Sequence, residues 1–318
     1  MTVTSQTPSA AVRAAAEGWR RASSSRARRT ALAGWLFVLP GFAVYGLVML
    51  YPAVQTVLLS LQDWTIVPGQ ESPWVGLANY AEALQDPVFL RSLVNAAAYT
   101  AFTVPLQVVI GLFLAVLLDG YLPGRVLFRV LFYLPVVSSW VVVSLLFRYI
   151  FASDDSLANS VVVNLLHLSG SNVAWFQQRW TAMLAIALLG TWKGIGWSML
   201  IFLAALTAVP VELKEAAALD GAGAVRRFRY VSLPAIRSAL SVVFILLFIG
   251  GFNVFISVQL MTGGGPSNAT QVPLTYMYQQ AFDFLDFSYG SAVSFILTGT
   301  VLALSALQYW WTRRREAL

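Results

Sequence analysis

Long stretches without charged residues dominate the pattern of this chain. They cover residues 30–62, 92–118, 130–147, 180–211, 238–282 and 287–312, and Lys193 is the one charged residue inside them. About 20 apolar residues are enough to cross the hydrocarbon layer of a membrane. Backbone groups in lipid must bond internally, and runs this long are typical of helices rather than of barrel strands. The pattern predicts an all-α membrane protein with six transmembrane helices.

Two details refine the spans. In the fifth stretch the apolar part is residues 239–261, and residues 262–273 have the composition of a turn. Four prolines lie within or near the spans, namely Pro40, Pro52, Pro105 and Pro135. Because proline removes a backbone donor, we expect kinks there.

The basic residues predict the orientation of the chain. Six lie in residues 1–30, two in the second connection, five in the fourth connection and three at the C-terminal end, which together are 16 of the 20 lysines and arginines. By the positive-inside rule, both termini are then cytoplasmic. Residues 1–30 are predicted to be a disordered, basic cytoplasmic tail that touches membrane lipid, and residues 31–318 form the transmembrane domain.

Composition excludes several classes of function. Only 11% of the residues are charged, less than half of the share of about 25% in soluble domains, so a soluble enzyme is excluded. The chain has no cysteine and one histidine, which leaves neither a disulfide framework nor a usual zinc or metal site. The net charge of +6 is explained by the basic residues that orient the chain in the membrane, and it does not indicate nucleic-acid binding.

The fourth connection, residues 210–234, is the most informative segment. It is too polar to span a membrane, yet residues 211–219 are good helix formers that begin after Pro210. Gly221 is suited to a helix stop, and a second helical turn precedes Pro234. The sequence predicts two short helices around a glycine bend, with a surface of small residues available for docking.

Motifs in this connection resemble those of a known family. Glu215-Ala216-Ala217, Asp220-Gly221-Ala222 and Val231-Ser232-Leu233-Pro234 match the EAA loop of binding-protein-dependent ABC transporter permeases, with Val231 in place of isoleucine as the only departure. Other segments look like the carbohydrate branch of that family, in particular Trp192-Lys193-Gly194 and Thr262-Gly263-Gly264-Gly265-Pro266. The resemblance covers nearly the whole chain.

The resemblance implies the fold, the partners and the activity. It implies a type I importer permease in the plasma membrane of a bacterium or archaeon, which carries a sugar or a related polyol or glycerophosphate by alternating access. It also implies a second permease subunit in a heterodimer, an extracytoplasmic sugar-binding protein and two ABC ATPase subunits. ATP and Mg would be bound by the ATPases, and no cofactor by this chain. The ATPase contact would be made by Glu215, Ala216, Ala217, Asp220, Gly221, Ala222, Leu233 and Pro234.

The residues themselves bear on the source of energy. The chain has no phosphate-loop motif, and none of its 14 acidic residues is placed well inside a span. Ion-coupled transporters usually bury acids or histidines at the membrane midplane. This disfavours the alternative of a stand-alone secondary transporter or channel. An intramembrane enzyme or scaffold is a third possibility that no polar cluster supports.

Polar and aromatic residues in the spans are candidates for a substrate path. Asn253 and Ser257 are four residues apart and are predicted to share a helix face, with Gln259 near the outer end. Trp140 could stack on a sugar ring. Packing hydrogen bonds between helices are the alternative role for these residues. Lys193 either bonds a carbonyl at a neighbouring kink or faces the path.

The glycine-rich segment after the fifth span also has two interpretations. Thr262, Gly263, Gly264, Gly265 and Pro266 form either a flexible loop or part of a binding-protein dock or external gate.

Overall fold

The computed structural model describes residues 30, 32–65, 69, 71–120, 123–152 and 156–316. The described elements are helical apart from one isolated bridge between Gln62 and Trp74, which confirms the predicted all-α class. The predicted tail, residues 1–30, lies outside the described residues except for Thr30. The main helices are α1 Leu32–Ser60, α2 Ala78–Ala83, α3 Pro87–Asp119, α4 Arg125–Val137, α5 Trp140–Ile150, α6 Arg179–Thr207, α7 Val211–Leu219, α8 Ala224–Arg227, α9 Arg237–Phe252, α10 Ile256–Met261, α11 Pro273–Tyr278 and α12 Phe287–Glu316.

The described helices provide five or six membrane spans, depending on how one bent pair is counted. The five that are long and apolar enough are α1, α3, α6, the pair α9–α10 and α12. The sixth is α4 followed by α5, which bend by 92° at Ser138 and Ser139. The sequence predicts a span over residues 130–147 with a kink near Pro135, and this pair covers that span with a sharper bend, three to four residues after the proline. Pro135, in the last turn of α4, lacks the backbone donor that the helix needs.

The described chain divides into two units between Leu58 and Leu59. In the first unit, the described part of α1 buries none of its apolar side chains within the chain. An apolar helix of this kind is stable only in a lipid environment or against another apolar partner.

The second unit is built around α3 and α6, which run parallel and pack along their lengths. Asn95 of α3 accepts a hydrogen bond from the first residue of α6, and the opposite ends of the two helices are linked near Asp119. Close packing needs small residues, as is usual for helices in membranes. A Cβ atom on Gly190 would lie 2.0 Å from the Tyr99 hydroxyl, and one on Gly194 would lie 2.2 Å from the Gln107 side chain.

The two ends of this unit differ in charge. We call the end with Glu82, Asp86 and Asp286 the acidic end, and the end with Asp119, Arg125 and residues 207–237 the basic end. α9 runs antiparallel to α3, since Gly251 packs on Thr100 and Val243 lies in the apolar cluster of Ala115.

Asp86 joins three helices at the acidic end. Its carboxylate accepts hydrogen bonds from the backbone amides of Val88 and Phe89 at the start of α3, and from the hydroxyls of Tyr276 and Tyr289 in α11 and α12. Burial works against ionisation, but these hydrogen bonds outweigh it, and the pKa of Asp86 lies below its ordinary value. Burial, with the bond to Asp86, raises the pKa of Tyr276 to about 12.

We predict that Asp86→Ala lowers the free energy of unfolding by about 2–3 kcal/mol, because it removes a helix cap and a charged acceptor. Since the folded-state pKa is lowered, this stabilisation is present above the ordinary aspartate pKa and is lost as the pH falls through the folded-state value. Thermal unfolding in detergent should therefore show a large difference from the parent protein at pH 7 and a smaller one below about pH 4. Glu82→Ala, an exposed acid beside the same cavity, is the control. Equal effects of the two substitutions would contradict this prediction.

Candidate functional site

The connection between α6 and α9 has the predicted pair of helices and the predicted glycine bend. α7 ends in a Schellman motif, in which the Ala222 amide bonds to the Ala217 carbonyl at 2.9 Å and the Gly221 amide bonds to the Ala218 carbonyl at 3.0 Å. Gly221 has φ +79°, a left-handed conformation that favours glycine. α8 and the turn Leu233–Ala235 follow. We call residues 210–234 the coupling loop.

The coupling loop presents unpaired apolar surface at the basic end. No residue of α7 or α8 is buried, and the side chains of Leu219, Val225 and Tyr230 are 90%, 79% and 71% exposed. The predicted contact residues are exposed or half-buried: Glu215, Ala216, Asp220 and Gly221 are exposed, and Ala217, Ala222, Leu233 and Pro234 are half-buried. Exposed apolar side chains beside a charged loop are typical of a docking surface.

Lys214 connects the coupling loop to the membrane-spanning helices. Its ammonium lies 2.7 Å from Asp119 at the end of α3 and donates to the Leu206 carbonyl of α6 at 3.2 Å. Both partners of the salt bridge are partly shielded from solvent. A displacement of α7 would therefore act directly on the packed pair of α3 and α6.

A cavity of about 440 Å³ lies between α3, α6 and α9, beside the bend of α4 and α5. Its polar lining comes from Tyr99, Thr103 and Gln107, and its aromatic lining from Trp140 and Trp197. Among the residues that the structure describes, Lys193 is the only charged one that lines it. We call it the inner cavity.

A second cavity of about 360 Å³ lies toward the acidic end and shares Tyr99, Trp140 and Gly250 with the first. Asn253 and Ser257 also line it. The Ser257 hydroxyl is buried and has no hydrogen-bond partner within the described chain. A buried hydroxyl at a cavity wall is available to a ligand. We call this the upper cavity.

Asn253 and Ser257 do not share a helix face, so that prediction is wrong, although both residues line the upper cavity. α9 ends at Phe252, and Ser257 belongs to α10 after a break. Asn253 donates to the Ile249 carbonyl at the end of α9. Gln259 lies on α10 and is not among the residues that line either cavity.

Lys193 bonds carbonyls at the bend, which was one of its two predicted roles. Its side chain is 3% exposed, and its ammonium donates to the carbonyls of Pro135 at 2.7 Å and Ser138 at 2.6 Å. A third, longer bond of 3.3 Å reaches Val136. Its ammonium also lies 4.9 Å from the Trp140 ring centroid. The carbonyls at the end of α4 thus find a partner although the helix stops inside a membrane-spanning region.

The segment of Thr262, Gly263, Gly264, Gly265 and Pro266 is held by hydrogen bonds, which disfavours the flexible interpretation. The Thr270 hydroxyl donates to the Gly265 carbonyl at 2.6 Å and lies 2.9 Å from the Thr262 hydroxyl. Asn95 donates to the carbonyls of Ala269 and Gln271. The loop is therefore fixed to α3 at the acidic end.

Several residues of the site are not among the candidates that the sequence indicates. Tyr99, Thr103 and Gln107 lie in the uncharged stretch of residues 92–118, and the signal for them is their polarity among apolar neighbours. Asn95 lies in the same stretch, and the two carbonyls that it bonds lie more than 170 positions away along the chain.

The chain matches a known protein family over most of its length. Residues 85–316 match the family described as "Binding-protein-dependent transport system inner membrane component". The chain belongs to this family, whose members are components of transport systems in the inner membrane. The resemblance to ABC transporter permeases of the carbohydrate branch is confirmed.

Relatives of known sequence cover most of the chain. The probable ABC transporter permease YurN of Bacillus subtilis is 34% identical over 86% of this chain and 94% of its own length. The arabinooligosaccharide transport permease AraP of the same organism is 34% identical over 91% and 90%. The sn-glycerol-3-phosphate transport permease UgpA of Yersinia pestis is 33% identical over 88% and 94%.

One solved structure supports the fold. A chain of a bacterial ABC transporter that imports the acidic polysaccharide alginate superposes with a TM-score of 0.78 at 19% identity, covering 92% of this chain and 99% of that chain.

We predict that the Lys214–Asp119 bridge holds α7 against the bundle. Asp119→Lys or Lys214→Glu alone would place like charges together, and a change of about 1 kcal/mol would raise amide hydrogen exchange in residues 211–219 about fivefold. The double exchange of charges should restore protection. Glu212→Lys, the same change of charge at an exposed position of α7, is the control. A double variant no better than the single ones would contradict the prediction.

Proposed function

We propose that this chain is one of two permease subunits of an ATP-driven importer. The main support is the exposed coupling loop, which Lys214 attaches to the helix bundle. The sequence of the chain has no phosphate-loop motif of its own. Energy for such a bundle has to come from a partner, and the loop offers that partner a rigid surface. ATP and Mg would bind to two ABC ATPase subunits that dock on the loop.

The cargo that fits best is a saccharide or a related polyol or glycerophosphate. Relatives of this chain are named for arabinooligosaccharides, lactose and sn-glycerol 3-phosphate. The two cavities combine Trp140 and Tyr99 with neutral hydrogen-bonding groups such as Gln107 and Ser257. Aromatic faces and uncharged polar groups are the chemistry that recognises sugar rings and hydroxyls.

The mechanism that we propose is alternating access. Closure of the ATPases on ATP would move α7, and the salt bridge of Lys214 with Asp119 would transmit this movement to α3 and α6. The two cavities would then open to one side of the membrane at a time, as ligand binding shifts the balance between two states.

The orientation follows from the basic residues. The basic end would be cytoplasmic, with both termini on that side. The acidic end would then face outward, and the fixed loop of residues 262–266 would contact an extracytoplasmic sugar-binding protein. A second permease subunit, different from this one, would cover the membrane-exposed faces of the bundle.

A stand-alone secondary transporter remains the second candidate, and the cavities argue against it. Neither described cavity between the spans is lined by Asp, Glu or His. Proton-coupled transporters usually place such groups along the path.

We predict that Gly221→Val abolishes uptake and the association of the ATPase subunits. A β-branched residue at φ +79° is strained by about 1–2 kcal/mol or more, which would unravel the end of α7. Co-purification of the ATPases and substrate-stimulated ATP hydrolysis measure the effect. Gly223→Ala, at φ −65° with open space around it, should leave both unchanged. A Gly221→Val complex that assembles and still shows substrate-stimulated ATP hydrolysis would show that the coupling loop does not transmit movement from the ATPases to the bundle.

We predict that Ser257→Ala and Asn253→Ala each weaken uptake about tenfold through loss of a hydrogen bond to the cargo, since about 1.4 kcal/mol corresponds to a factor of ten. Uptake by the reconstituted complex, with saturating cargo-loaded binding protein, is the measurement. Gln259→Ala, whose side chain is not part of the cavity lining, is the control. Unchanged uptake in either variant would remove that residue from the path.

A further inference from the structure

Lys193 and the bend between α4 and α5 form one structural unit. The two backbones approach closely because Gly196 has no side chain, and a Cβ atom there would lie 2.1 Å from the Phe132 carbonyl oxygen. This approach brings the end of α4 within reach of Lys193, three residues earlier on α6. Gly196 and Lys193 therefore serve the same contact between α6 and the end of α4.

We propose, on the basis of the importer function above, that Lys193 is a positioning residue that holds Trp140 as a barrier between the inner and upper cavities, and that it is not a binding site for anionic cargo.

The first support is the saturation of the ammonium group. A lysine ammonium has three donors, and Lys193 has three carbonyl acceptors, those of Pro135, Val136 and Ser138. These carbonyls lie where α4 stops, so they have no partner in a continuing helix. A cation is also favoured at a helix C-terminus by the helix dipole. An anion in the inner cavity would have to take the ammonium from these carbonyls.

The second support is the place of Trp140. It is the first residue of α5, directly after the two serines of the bend, so the geometry of the bend decides where its ring stands. Its ring is 4.9 Å from the Lys193 ammonium, a cation–π distance. Trp140 lines both cavities, and the other residues shared by the cavities are Tyr99 and Gly250. A shift of this ring changes the connection between the two spaces.

The consequence for selection of cargo is specific. Within the described part of the chain, Lys193 is the only charged residue lining the inner cavity, and its three donors are already used. The remaining polar lining is neutral, from Tyr99, Thr103 and Gln107. An anionic cargo therefore forms no direct salt bridge in this cavity. The cavity gives it no electrostatic advantage over an uncharged saccharide.

Thiol labelling can test the barrier without knowledge of the cargo, because the natural chain has no cysteine. Thr103→Cys places a single thiol in the inner cavity, which the upper cavity does not share. The assembled complex in right-side-out vesicles is treated with a membrane-impermeant methanethiosulfonate reagent. We expect Lys193→Met to speed the labelling at least tenfold and Lys193→Arg to restore slow labelling.

Two further variants keep the test decisive if Lys193→Met fails to assemble. Gly196→Ala should speed labelling because it pushes α4 away from α6, whereas Gly299→Ala, a helical glycine in α12 with open space around it, should not. Trp140→Ala, with Lys193 intact, should speed labelling to the same degree as Lys193→Met. Labelling that is unchanged in Trp140→Ala, or in an assembled Lys193→Met or Gly196→Ala complex, would overturn the proposal.

The anion role is tested with sn-glycerol 3-phosphate as the probe. The proposal predicts that this anion leaves the labelling of Thr103→Cys unchanged when Lys193 is present. Protection that disappears in Lys193→Met would show that Lys193 binds anions and would overturn the proposal. Co-purification of the ATPase and binding-protein subunits with each variant reports separately on the importer function, so a failure of that function is not confused with a failure of the barrier.

Discussion

A helix that stops inside a membrane leaves backbone carbonyls without partners, and the interior of this protein is arranged around that constraint. Lipid offers no hydrogen bonds, and each unsatisfied group costs several kcal/mol. At the end of α4 the carbonyls of Pro135 and Ser138 are bonded by Lys193. A lysine in the middle of a span is costly by itself, and these carbonyls lower that cost. In return Lys193, together with the Ser138 hydroxyl that also donates to the Pro135 carbonyl at 2.6 Å, satisfies the end of α4. This mutual dependence explains how a 92° bend and a buried charge coexist in one bundle.

α6 connects this interaction to the coupling loop, where we propose that the ATPase subunits dock. Lys193 lies in its middle, Gly190 and Gly194 fit it against α3, and its last turn leads into α7. The bridge of Lys214 with Asp119 fastens α7 to α3 beside the end of α6. A movement of the coupling loop thus reaches the two cavities through one packed pair of helices rather than through flexible segments. This continuity is the physical basis of the transport mechanism proposed for the chain.

The sequence predicts those features that depend on local composition. Apolar length predicts the spans, and a glycine at position 221 after a run of helix formers predicts the stop of α7. Pro135 predicts a kink within residues 130–147, but the sequence does not predict that the bend reaches 92° or that it lies at Ser138 and Ser139. Nor does it predict the helix break after Phe252 within the span of residues 239–261. Such breaks depend on partners far along the chain, as the 55 positions between Ser138 and Lys193 illustrate.

For the candidate residues of the substrate path, too, the sequence predicts residue type but not spatial arrangement. Trp140 and Ser257 were identified from residue type, but the shared helix face that was argued for Asn253 and Ser257 does not exist. Gln107 and Asn95 were not identified as site residues, because their partners are carbonyls that carry no sequence signal. Residue type thus indicates which groups are polar, and only the fold indicates which of them share a cavity.

Cryo-electron microscopy of the reconstituted complex, with and without bound ATP, tests the central claim most directly. The quantity to measure is the distance from the Lys193 ammonium to the carbonyl oxygens of Pro135 and Ser138. The account predicts hydrogen-bonding distances in both states, with the bend at Ser138 and Ser139 retained while the coupling loop moves. A continuous helix through these serines, or a Lys193 side chain that leaves the carbonyls in either state, would contradict it.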